Sequence, residues 1–193
     1  MAFVSRAGQK LEHALGTFGL DVSGVVAADL GCNVGGFTDC LLRRGARRVY
    51  AVDTGYGVLD YRLRKDERVV VLERTNALHV VLPEAVGLVV IDVAWTRQRL
   101  ILPAARRLLR DGGSVVTLIK PHYEAPKGLL RGGVLPPEHL PEVVAGVQRE
   151  IEAAGFAVRQ ITESPIRGSG GNAEVLAWVS PVSTTSTSGV GEG

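Results

Sequence analysis

The stretch Asp29-Leu-Gly-Cys-Asn-Val-Gly-Gly-Phe37 follows a short apolar run, VVAADL, and leads into a helical pattern. Its glycines let the backbone turn tightly and come close to a ligand. In doubly wound sheets such a bend lies at the carboxyl ends of the strands, where ligands bind. Asp53 closes the next apolar run, roughly 20 residues beyond, where a carboxylate can accept both hydroxyls of an adenosine ribose. A dinucleotide site requires G-x-G-x-x-G. Here the glycines are Gly31, Gly35 and Gly36, and Asn33 replaces the one that admits a pyrophosphate. The bend therefore disfavours a dinucleotide and suits a nucleoside ligand without phosphates, such as S-adenosylmethionine. Asp29, Gly31, Cys32, Asn33, Gly35, Gly36, Phe37 and Asp53 are the candidate contacts. A turn that needed glycine for geometry alone would not require both acids.

Those residues must be positioned by alternating elements. Leu11, Ala14, Leu15 and Phe18 recur at helical period within Ser5–Leu20. Short apolar runs at Val25–Leu30, Arg48–Val52, Val69–Leu72, Leu88–Ile91 and Ser114–Ile119 read as strands. Helical patterns fall at Phe37–Arg44, Leu100–Leu109 (ending at Asp111-Gly112-Gly113) and Pro137–Ala154. Strands this continuously apolar, separated by helices, predict a mainly parallel α/β sheet covered on both faces. Ala157–Glu163 and Glu174–Val179 have no helix between them and predict an antiparallel pair at one edge. The expected organisation is a helical segment over 1–24, a main domain over 25–180 and a flexible low-complexity tail over 181–193.

With 46% hydrophobic and 22% charged residues, the chain has the balance of a globular protein, not a disordered one. No apolar run approaches the roughly 18 residues of a membrane helix, and MAFVSRAGQK has no apolar stretch of signal-peptide length. The expectation is a cytoplasmic protein without membrane contact. Cys32 and Cys40 lack zinc-ligand spacing and are expected to be reduced. His13, His79, His122 and His139 are scattered and make no metal set with acidic neighbours. The net charge is only +2, yet arginines cluster at 43–48, 62–68 and 97–110. Such clusters suit phosphates; they equally suit solvated helix faces.

The segments SRAGQKLEHAL, DLGCNVGGFTDCLL, RVYAVDTGYG, VVVLERTNA, LVVIDVAW, SVVTLIKPHYE, RGGVL and SPIRGSGGNAEVL stand in the order seen in the hemolysin A (TlyA-type) ribosomal RNA methyltransferases. The chain resembles that family, within the larger FtsJ-like group, from Val4 to Val179. The resemblance implies a Rossmann-like S-adenosylmethionine-dependent methyltransferase fold with a seven-stranded sheet. It implies S-adenosylmethionine as cofactor, RNA as partner and methyl transfer to a ribose 2'-hydroxyl of ribosomal RNA. It places the group's lysine–aspartate–lysine–glutamate set on Lys10, Asp92, Lys120 and Glu174, with Asp92 and Asn76 also on the cofactor side. A ribose hydroxyl needs a positioned base. Desolvation and a second cation at Lys10 would tune Lys120 for that role. No metal is required. The family's small N-terminal RNA-binding module has no counterpart before SRAG, so RNA capture is expected to fall to the arginine surface or a partner. AWTRQRL after Asp92, and His122-Tyr123 in place of glutamine and phenylalanine, alter the substrate side, with Tyr123 a candidate for base stacking. Competing readings are a small-molecule methyltransferase, a non-catalytic S-adenosylmethionine- or RNA-binding protein, and, from the family's hemolysin name alone, a membrane-lytic protein.

Overall fold

The computed structural model describes residues 2–182; beyond Pro181 and Val182, the expected tail lies outside the described residues. The strands are β1 (Val26–Leu30), β2 (Arg48–Val52), β3 (Val69–Leu72), β4 (Val86–Ile91), β5 (Leu109–Ile119), β6 (Phe156–Glu163) and β7 (Val175–Pro181). They form one seven-stranded sheet in the order β3-β2-β1-β4-β5-β7-β6. β1 to β5 pair in parallel, and β7 runs antiparallel to both β5 and β6. Every residue of β1 is buried, as expected of a central strand covered on both faces.

Alternate residues serve two separate cores. Leu88 and Val90 face α1 (Ala7–Phe18) and α2 (Gly36–Arg43), with Leu11, Leu15, Phe37 and Leu41. Val89 and Ile91 face α4 (Gln98–Leu108) and α6 (Leu140–Ala153), with Ile101, Leu102 and Ile151. The first helix is thus part of the main domain's core, closing one face of the sheet.

α1 approaches α2 with almost no side chain between them. A Cβ on Gly8 would stand 2.9 Å from the Gly36 carbonyl oxygen and 2.5 Å from the Phe3 ring, and one on Gly36 would stand 2.8 Å from the Gly8 nitrogen. The Val4 N–H adds a 2.9 Å bond to Asp39 on α2, and Arg44 pairs with Glu12 at 2.7 Å.

Three expectations change in detail. α4 ends at Leu108 and β5 begins at once; Leu109 pairs with Val86 and Ser114 with Leu88, so residues 110–113 form a bulge, not a helix-ending turn. Gly112, at φ 72°, supplies the left-handed residue this bulge needs. Glu174 sits just before β7, not in it. Two short helices, α3 (Tyr61–Arg64) and α5 (Pro121–Glu124), appear where no helix was expected.

Gly8→Ala should lower stability by about 1–3 kcal/mol, because the methyl must push α1 off α2. Gly16→Ala, whose Cβ has only a 3.7 Å contact with Arg44, should gain up to about 1 kcal/mol from helix propensity. Urea unfolding midpoints of the two variants should move in opposite directions.

Candidate active site

The carboxyl ends of β1, β2, β4 and β5 and the start of β7 meet at one edge of the sheet. The glycine bend leaves β1 there. Gly31, at φ 84°, donates its N–H to the Val52 carbonyl at 2.9 Å, and a Cβ on it would stand 2.6 Å from the Asp92 carbonyl oxygen. Asn33 (φ 48°) and Gly35 (φ 101°) carry the bend into α2. Asp53 locks the bend to β2: its carboxylate accepts from the Asn33 N–H at 2.8 Å and the Gly55 N–H at 2.7 Å. Carboxylate oxygens have further lone pairs for ribose hydroxyls.

A cleft of about 360 Å³ opens over this edge, lined by Gly31, Asn33, Asp53, Asn76, Asp92 and Trp95 among others. Asn76 walls the cleft, with its side-chain oxygen taken by the Leu78 N–H at 2.9 Å. An adjoining void of about 60 Å³ shares Gly31, Asn33 and Asp92 and is lined also by Ser5, Ala7, Asp29, Cys32 and Phe37. Every cofactor contact expected from the sequence except Gly35 and Gly36 thus lines one of these two spaces. Those two glycines act as backbone: Gly35 clears Leu59 and Leu63, and Gly36 clears Ser5 and α1.

Asp29 is fully buried beside the small void. One of its oxygens accepts from the Thr38 hydroxyl at 2.7 Å, and the other has no partner. Burial, together with the nearby carboxylates of Asp92 and Asp53, outweighs the Thr38 bond and pushes its carboxyl up to about 7. Burial also raises the thiols of Cys32 and Cys40, and both cysteines are free. An unpartnered Asp29 carboxyl oxygen at a water-sized void, beside a cleft that holds Asp53, fits the amino end and the ribose of S-adenosylmethionine.

The lysine–aspartate–lysine–glutamate set forms two ion pairs. Lys10, on the buried face of α1, pairs with Glu174; the two are 7% and 4% exposed. Lys120, at the end of β5, pairs with Asp92 at 2.6 Å and donates to the Val93 carbonyl at 3.2 Å. The register that pairs Ile119 with Val175 brings Lys120 and Glu174 level just beyond the paired ends of β5 and β7. Glu174 neutralises Lys10, so the second cation expected beside Lys120 is not a bare charge. Among the described residues, no group of three His, Cys, Asp or Glu side chains could hold a metal.

A second pocket of about 490 Å³ shares Trp95 with the cleft and is lined also by Arg97, His122, Tyr123, Lys127 and Asn172. Trp95 and Tyr123 stand 4.9 Å apart between ring centroids, and His122 lies 4.1 Å from Tyr123. Burial, then the Lys120 charge, lowers the His122 imidazole. Asn172 was not singled out in the sequence. Its buried side chain accepts from the Leu135 N–H at 2.9 Å and donates to the Gly133 carbonyl at 3.2 Å, tying the RGGVL loop to the segment that carries Glu174. Thr38 and Ser5 were likewise missed. Only a hydroxyl in the early turns of a helix after a glycine bend, and the serine of SRAG, hinted at them.

A sheet of this order, with an antiparallel strand beside β5 and a cleft over the glycine bend and Asp53, is that of the S-adenosylmethionine-dependent methyltransferases. The S-adenosylmethionine-dependent methyltransferase of Mesorhizobium loti superposes with a TM-score of 0.64 at 17% identity, covering 86% of this chain and 95% of that one, which shows the shared fold. Residues 3–180 match the FtsJ-like methyltransferase family, and the chain belongs to it. It is 41% identical over 184 residues to the 16S/23S rRNA (cytidine-2'-O)-methyltransferase TlyA of Mycobacterium tuberculosis, covering 92% of this chain and 68% of that protein. A Streptococcus thermophilus protein described as a hemolysin superposes with a TM-score of 0.90 at 37% identity, covering 94% of this chain and 68% of that one. The chain spans 65–75% of the length of the curated relatives it matches.

Asp29 makes stability fall with pH. Its folded carboxyl holds a proton up to about 7, whereas the unfolded one loses it near 3.8, so the unfolded state gains ground as pH climbs between those values and the penalty is constant above. Asp29→Asn, which keeps a partner for Thr38, should remove this slope. Above pH 7 it should stabilise the ligand-free protein by on the order of 4 kcal/mol. Urea unfolding of both proteins from acid to neutral pH checks this.

Proposed function

We propose that this chain transfers a methyl group to RNA at a ribose 2'-hydroxyl, in ribosomal RNA. The observation that carries the reading is the Asp92–Lys120 pair: Asp92 lines the cofactor cleft, and Lys120 lies two residues before His122, which lines the Trp95–Tyr123 pocket. When bound, S-adenosylmethionine supplies an electrophilic methyl group on sulfur. The chain's own residues do the rest. The ring faces of Trp95 and Tyr123 suit an unstacked base, as in RNA recognition generally. Such a base brings its ribose to the mouth of the cleft. Asp92 and the Val93 carbonyl take two of the three directions around the Lys120 nitrogen and leave the third, where the lone pair of a free amine can face the hydroxyl. Lys120 in its neutral form takes the hydroxyl proton. Lys10 and Glu174 hold the strand ends that set its position. Most of the rate should come from holding the hydroxyl in line with the methyl group, where effective molarities reach roughly 10⁵–10⁸ M.

The relative from M. tuberculosis is a ribosomal RNA (cytidine-2'-O)-methyltransferase by name, which favours cytidine here. No helix among the described residues is long and apolar enough to cross a membrane. A cytoplasmic site of action accompanies this reading, and membrane lysis finds no support in it.

Methyl label should pass from S-adenosylmethionine to ribosomal RNA and map to a ribose. Lys120→Ala should cut the rate by about 10²–10⁴-fold while S-adenosylhomocysteine affinity is kept. Label on a base, on a small molecule or on no RNA, or a fully active Lys120→Ala, would reject the proposal.

A further inference from the structure

Three large aromatic side chains stand out in solvent: Tyr56, Tyr61 and Trp95, at 73%, 70% and 81% exposed. All three lie on segments that leave the ligand-binding edge of the sheet, Tyr56 and Tyr61 after β2 and Trp95 after β4. Trp95 belongs to the pocket already described. The other two are not used by the proposed site.

Each of these tyrosines carries a cation on its ring. The Arg74 guanidinium lies 4.3 Å from the Tyr56 centroid, and the Lys65 ammonium 5.3 Å from that of Tyr61. The neighbouring arginines are spent on carboxylates: Arg62 on Asp60, Arg64 on Glu73 and Arg68 on Asp66. Lys65 and Arg74 enter no ion pair among the described residues. The cations left without a carboxylate in this segment are therefore the two that sit on open rings.

The platform is tied to the cleft. Arg74 donates its N–H to the Gly55 carbonyl at 3.0 Å, Gly55 donates to the Asp53 carboxylate, and Asp60 donates to the Val34 carbonyl of the glycine bend at 3.0 Å. Tyr56 is thus held beside the carboxylate assigned to the ribose of the cofactor. A cation over one ring face leaves the other face for a base and puts positive charge where a phosphate would pass. The interspersed charges make the patch unsuited to a broad apolar protein contact.

The geometry points to Tyr56–Arg74 and Tyr61–Lys65 as two stacking platforms that hold single-stranded RNA flanking the target nucleotide, on the side of the cleft opposite the Trp95–Tyr123 pocket. This rests on the proposed function, and it assigns RNA capture to the methyltransferase domain itself.

The test uses a short fluorescein-labelled oligocytidylate and the full chain. Anisotropy should show binding that weakens with salt. Tyr56→Ala and Tyr61→Ala should each weaken it by about tenfold, Tyr56→Phe should not, and Arg74→Gln should flatten the salt dependence. S-adenosylhomocysteine affinity, measured by calorimetry, should stay at the wild-type value in all four. Equal affinity of the alanine variants and the wild type for the oligonucleotide would overturn the platforms, as would equally tight binding of a duplex or no binding by the wild type. Methyl transfer by the same preparations to ribosomal RNA separates the two claims: transfer that persists while the alanine variants bind RNA normally sinks the platforms alone, whereas absence of transfer by the wild type sinks the underlying function.

Discussion

Two ammonium groups and two carboxylates share one edge of the sheet, and little of the surrounding architecture makes sense without their pairing. Taking a charge out of water costs several kcal/mol, which only a well-placed opposite charge offsets. Lys10 and Glu174 are buried almost completely, so neither is tolerable alone. Their pairing obliges α1 to lie against the end of the sheet where β7 begins. The close approach of Gly8 and Gly36 is the steric condition for that placement, and Gly168 is the condition on the other side, since a Cβ there would enter the Glu174 carboxylate. Small residues thus flank the pair from two directions.

The second pair lies where two strands end side by side. Asp92 follows β4 and Lys120 follows β5, adjacent parallel strands, so their meeting is a direct product of strand order. Asp92 also contributes to both ligand spaces, and the bend at Gly31 rests on its carbonyl. One residue therefore borders the cofactor cleft, the small void at Asp29 and the amine. Its field is felt at Asp29, whose carboxyl it helps to raise. A cationic ligand group entering the void would meet an acid that has been kept short of partners.

Much of this was legible in the residue order. Continuous apolar runs in β1 and β4, buried on both faces, identify parallel strands by composition alone. The glycine spacing and Asp53 locate the cleft because backbone approach and ribose recognition each require a particular residue type. What was hidden falls into two kinds. α3 and α5 span a single turn each, too short for a 3.6-residue period to register, and the start of β5 was masked by Asp111-Gly112-Gly113, a helix-stop pattern that here serves a bulge. The partners of Asp29, Glu174 and Leu135 were hidden for a different reason. Thr38, Lys10 and Asn172 act through contacts fixed by packing, and nothing in local periodicity encodes them. The arginine cluster at 62–68 was hidden in the same way: only three-dimensional pairing shows that Arg62, Arg64 and Arg68 are each held by a carboxylate.

The buried lysine and its glutamate are separated by 164 positions. β7, which Glu174 precedes, is the final strand, yet it inserts between β5 and β6 and does not sit at the sheet's border. A chain made from its amino end therefore presents Lys10 before its counter-charge exists, on a helix that α2 can already seat. The Lys10–Glu174 contact thus joins the earliest and the latest of the described elements, and a break at either end would uncover a buried charge at the other.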